Sequence, residues 1–133
     1  MSWTTVESVY MNRRARDGIK KKTIKLECTS DASSESHALA SGGLRGLYLY
    51  GIEYFPDGVE TPTSDPVVTI ENENGFVIFN SADTGVITAA TATYLECSAT
   101  LGSYPLINGI PTFKCTTLAD TKEAAFILNF IER

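Results

Sequence analysis

Hydrophobic and polar positions alternate with period two in several short segments of this chain, and no long helical pattern competes with them. In IKKKTIKLEC (residues 19–28), Ile24, Leu26 and Cys28 fall on one side and Thr23, Lys25 and Glu27 on the other, the pattern of a half-buried strand. LRGLYLYGIEYF (44–55) is the strongest strand signal. Period two puts Tyr48, Tyr50, Ile52 and Tyr54 on one face and Leu47, Leu49 and Glu53 on the other. Both faces are largely apolar, which predicts a central strand or a subunit contact. Pro56-Asp57-Gly58 follows as a turn, because proline presets φ and glycine accepts a positive φ.

The segment TPTSDPVVTIENENGFVIF (61–79) is the clearest piece of architecture. A proline-punctuated loop leads into strands over 67–72 and 76–80, joined by a polar turn. Asn74-Gly75 is the dipeptide preferred in a type I′ hairpin. Residues 81–92 are rich in small side chains and predict a loop with room for one helical turn. Strands are expected over 92–101, 110–116 and 124–131, with turns at Gly102–Pro105 and Asn108-Gly109. Residues 29–43 read as a loop or weak edge segment, since Ser, Ala and Gly offer little to bury. Residues 1–18 show no full stripe and read as an irregular arm. The expected fold is all-β: a sandwich or jelly-roll-like barrel of about 7–8 short strands, at residues 19–133, with an N-terminal arm at 1–18.

Charge changes this picture at one end. Residues 1–25 carry seven basic and two acidic side chains, net +5, and the remainder carries four basic and fourteen acidic, net −10. A basic leader on an acidic body suggests an interaction arm. Its aromatics, Trp3 and Tyr10, precede Arg13, Arg14 and Arg16 rather than interleaving with them, and the body is acidic, so a protein neighbour is favoured over nucleic acid. There is no apolar run of the ~18 residues that a membrane helix needs and no apolar segment of signal-peptide type. A soluble, leaderless chain with no membrane partner is the expectation.

The sequence offers little chemistry. His37 is the single histidine, in a Ser-rich stretch expected as a solvated loop, and no nucleophile elbow accompanies it. Glu71 and Glu73 share a predicted strand face, which suits an edge-guarding role better than carboxylates opposed across a cleft. No phosphate loop is present. Cys28, Cys97 and Cys115 form no CxxC pair and are expected as buried, reduced thiols. No catalytic residue, metal site or cofactor is expected. The candidate interface residues are Trp3, Tyr10, Arg13, Arg14, Arg16, Tyr48, Tyr50 and Tyr54.

The order of features carries a resemblance. TSDAS (29–33), the Tyr-rich strand, FPDGVETPTSDPVVTIENENG (55–75) and YPLINGIPTFKCTTLADTKEAAFILNFI (104–131) follow one another in a way that resembles small all-β structural proteins of tailed bacteriophages. The resemblance spans roughly residues 24–131 and rests on turn and strand signatures. It implies a non-enzymatic virion component made in the host cytoplasm: a capsid decoration (cement) or head-associated protein, or alternatively a neck, tail or fibre-associated one. Its implied partners are a major capsid or neck/tail protein and further copies of itself, with a homotrimer favoured. A third reading, from another class, is a carbohydrate-binding or hydrolytic jelly-roll module using Tyr48, Tyr54 and the Glu71–Glu73 end.

Overall fold

The computed structural model describes residues 4–14, 20–39, 43–84, 87–97 and 104–132. Among them are nine strands and one helical turn: β1 (Thr4–Arg14), β2 (Lys20–Thr29), β3 (Glu35–Ala38), β4 (Tyr48–Pro56), β5 (Val68–Glu71), β6 (Val77–Asn80), α1 (Ser81–Thr84), β7 (Thr93–Glu96), β8 (Thr112–Cys115) and β9 (Glu123–Ile131). They form two antiparallel sheets, ordered β1-β2-β9-β4-β7 and β3-β8-β5-β6.

The pairing is nested about one hairpin. β5 pairs with β6, β4 with β7, β3 with β8 and β2 with β9. The chain thus behaves as one long hairpin rolled up, and the β4–β9 and β5–β8 ladders close it into two sheets. That is the eight-stranded jelly roll, with β1 added as an extra edge. The hairpin at the centre of the roll is the one legible in residues 61–79.

Alternation decides what lies between the sheets. β9 buries Ala124, Phe126, Leu128 and Phe130 and turns Ala125, Ile127, Asn129 and Ile131 outward. β2 contributes Ile24, Leu26 and Cys28 to the same interior. The second sheet supplies Val68, Ile70, Phe79, Phe113 and Cys115. Phe126 sits at the centre, with ring centroids 5.2 Å from both Tyr54 and Phe113, a spacing at which tilted aromatic pairs attract beyond their area.

Four expectations are corrected. Residues 4–14 are not an irregular arm: they pair with β2 along its length, with a bulge between Val9 and Met11. The free edge of β2 supplies the partner that their weak pattern did not announce. Polar ESHA, within the expected loop or weak edge, is the edge strand β3, and His37 stands there opposite Phe113 rather than in a loop. The Asn74-Gly75 turn is not type I′. Only Gly75 has positive φ, at 87°, and its N–H donates to Asn72 O at 2.8 Å while Asn72 N–H donates to Phe76 O at 2.8 Å. This is a type I turn closed by a glycine bulge. The fourth correction is β4, where the register shifts between Leu49 and Gly51. One extra residue there breaks the alternation, so the four residues expected on one face divide. Tyr48 and Tyr50 are half-buried, while Ile52 and Tyr54 point inward and are fully buried.

Candidate interaction surface

The outward face of the five-stranded sheet is built in rows, because directly opposed residues of antiparallel strands share a face. One row runs Lys25, Ile127, Glu53, Tyr94 across β2, β9, β4 and β7. The next runs Thr23, Asn129, Gly51, Glu96, and a third Lys21, Ile131, Tyr48. Lys21 and Lys25 therefore stand on the β2 side with Glu27 beyond them, Ile127 and Ile131 flank Asn129 on β9, and Glu53, Glu96, Tyr48 and Tyr94 stand on the β4–β7 side.

Side-chain bonds tie the rows together. Thr23 Oγ1 donates to Asn129 Oδ1 at 3.3 Å, and Asn129 Nδ2 donates to Glu53 Oε2 at 3.1 Å. Lys25 Nζ lies 3.1 Å from Glu27 on its own strand. Gly51 is where the Tyr94 ring crosses: a Cβ on Gly51 would come within 2.7 Å of Tyr94 Cζ. A glycine here lets an aromatic side chain from the neighbouring strand approach the backbone closely.

Tyr94 remains 55% exposed. Around it stand Tyr50 and Tyr104, their rings edge to face at 6.5 Å, and Tyr104 OH donates to Glu96 Oε1 at 2.8 Å. The Tyr104 phenol is raised above its ordinary pKa chiefly by that bond, and Tyr94 and Tyr50 chiefly by desolvation. Sequence reasoning missed Tyr94, Tyr104 and Glu96. The signal was there for two of them, since Tyr94 and Glu96 are spaced by two on one strand.

The basic segment also acquires geometry. The β1–β2 register sets Arg13 opposite Lys21 and Arg14 opposite Lys20. Trp3 and Arg16 lie outside the described residues, and Tyr10 lies at the β1 bulge.

Tyr54 is corrected as an interface residue. It is 1% exposed, and its hydroxyl donates to Ala89 O at 2.6 Å. Burial, then the charges of Cys115 and Asp65, raise its phenol well above the usual range. The Glu71–Glu73 pair also separates. Glu71 is held at 2.7 Å by Lys114 of the neighbouring strand, while Glu73 sits exposed in the turn and packs over Gly109. With Tyr54 in the core, the expected set of Tyr48, Tyr54 and the Glu71–Glu73 end is not assembled.

Cys28, Cys97 and Cys115 are buried thiols outside any disulfide, and burial raises the thiols of Cys97 and Cys115. Among the described residues no group of three or more His, Cys, Asp or Glu is placed to hold a metal. A surface depression of 370 Å³ is open and lined by Lys25, Glu27, Phe55 and the 56–58 turn, among others.

No protein-family model matches the chain, and no curated protein does. Two solved structures are similar in outline. One is the CBM22-1 xylan-binding domain of Paenibacillus barcinonensis Xyn10C, at 15% identity and TM-score 0.42, over 98% of this chain and 85% of that one. The other is CapF, at 9% identity and TM-score 0.34, over 95% of this chain and 30% of that one. Neither likeness bears on function.

Proposed function

We propose that this chain is a non-enzymatic structural protein of a bacteriophage virion, a capsid decoration or head-associated protein that docks on a neighbouring shell subunit. The observation that carries the reading is the basic end of the β1–β2 hairpin. Arg13 and Arg14 stand in register with Lys21 and Lys20, on a chain whose remainder carries net charge −10. The register gathers these four basic residues at one end of the strand pair, where an acidic neighbour would meet them together. The phage resemblance supplies the kind of neighbour, a major capsid protein, with a neck or tail protein as the variant of the same reading.

Removing residues 1–18 is not a clean test, because it would strip β1 and uncover the β2 edge. Charge reversal is cleaner. Arg13→Glu with Arg14→Glu should abolish binding to undecorated particles while leaving the circular dichroism spectrum unchanged. Unchanged binding would sink the proposal.

A second reading has its own observation. Tyr94, exposed and close over Gly51, is flanked by Tyr50, Tyr104 and the Glu96 carboxylate. Aromatic platforms beside hydroxyl acceptors suit a sugar ring. A glycan array with the wild type and Tyr94→Ala separates the two: signal lost in the variant favours the glycan module, and no signal leaves the virion reading.

A further inference from the structure

We propose that the outward face of the five-stranded sheet is a two-fold interface between copies of this chain. The argument rests on the face itself and stands independently of the virion reading. One of its rows grades from Lys25 on β2 through Ile127 on β9 to Glu53 on β4, and the rows beyond it set Lys21 beside Ile131 and Tyr48, and Thr23 beside Asn129, Gly51 and Glu96. Such a face is complementary to itself in one orientation.

Two faces packed against each other are related by an axis lying between them. An axis across the strands would set β2 on β2 and oppose lysine with lysine. An axis along β9 exchanges β2 with β4 at the same level. Lys25 of one copy then meets Glu53 of the other, and the second Lys25–Glu53 pair follows by symmetry. Lys21 meets Tyr48, a cation against an aromatic face. At the centre Ile127 rests on Ile127 and Ile131 on Ile131, the apolar middle and charged rim of ordinary interfaces. Lys25 is already held by Glu27 at 3.1 Å, but an ammonium carries three donors and keeps capacity for a second acceptor.

The area suffices. Five strands spaced about 4.8 Å apart and about seven residues rising about 3.3 Å each give a face of roughly 24 by 23 Å. Pairing two such faces buries roughly 1,100 Å², just above the ~1,000 Å² that specific contacts need. Association is therefore concentration-dependent and salt-sensitive. The partner on this face is a second copy, and the assembly is a dimer rather than the trimer that the phage resemblance implies.

Sedimentation equilibrium of the full chain over a wide concentration range tests this. The expected result is a monomer–dimer equilibrium. Ile127→Lys should abolish it, with thermal unfolding in dilute solution showing that the outward-facing variant still folds. Lys25→Glu and Glu53→Lys should each weaken the dimer roughly tenfold, because the symmetry duplicates each lost exposed pair. The double variant should recover most of that loss. A chain that stays monomeric throughout, a trimer, or a dimer indifferent to Ile127→Lys would each overturn the proposal. Particle binding by the β1–β2 hairpin is read separately, so either result stands without the other.

Discussion

Replacing Phe126 by alanine should be among the most damaging single changes available, while the same replacement at Phe55 should hardly register. Phe126 is 0% exposed between the sheets, its ring centroid 5.2 Å from those of Tyr54 and Phe113. Phe55 stands on the outward face one position along from Tyr54, opposite Ala125, and is 43% exposed. The two substitutions remove the same atoms, so the difference isolates position. Truncating a buried phenylalanine loses its transfer free energy and leaves a cavity, about 3–5 kcal/mol together. Truncating one that keeps nearly half its surface in water loses only part of the transfer term, about 1 kcal/mol. Against a total stability of about 5–15 kcal/mol, the first is a large fraction and the second is small. Urea unfolding at one low protein concentration, followed by fluorescence, should show the midpoint falling several-fold further for Phe126→Ala, with m unchanged. Equal losses would refute the assigned register of β4 and β9, because a slip of one residue exchanges the two faces.

Tyr54→Phe should cost about 1–3 kcal/mol, because Ala89 O loses its buried donor. The raised phenol of Tyr54 stabilises the fold below the unfolded value near 10 and ceases to do so as pH climbs above it, so wild type should lose stability in mild alkali and Tyr54→Phe should lose less. Gly109→Ala should cost about 1–2 kcal/mol in denaturant titration, since φ is 82° and a Cβ would run into the Glu73 side chain. A double-mutant cycle on Glu71 and Lys114, paired at 2.7 Å with one partner well exposed, should return a coupling below about 1 kcal/mol that shrinks in added salt.

How much of this was readable beforehand depended on whether a segment carries its own reason for being a strand. β2, β5 and β9 alternate cleanly because each buries one face, and they were legible together with the apolar run of β6. β1 and β3 carry polar or basic residues with no apolar stripe. Each is a strand because a long-range partner offers an open ladder, which no local window contains. The bulge at Tyr50 has no sequence signature of its own, yet it decides which tyrosines reach the surface. It is why period two alone puts Tyr54 on the face of Tyr48 and Tyr50, whereas the chain turns it into the core. The rows of the sheet face join residues as far apart as Thr23 and Asn129, 106 positions along the chain. Composition showed that the chain is electrically lopsided, but only the register shows cations and carboxylates flanking one strand.

That same separation sets a delay during synthesis. β9 is wedged between β2 and β4, so β2 cannot take its final neighbour until about a hundred further residues have been made. At about 5–20 residues per second, β2 waits on the order of 5–20 s with one ladder open. Its alternating Ile24, Leu26 and Cys28 side is then uncovered, and so is a thiol that the finished fold hides. A newly made chain is thus most exposed to mispairing and oxidation before its ninth strand arrives, and co-translational chaperone contact at residues 20–29 is where that interval would register.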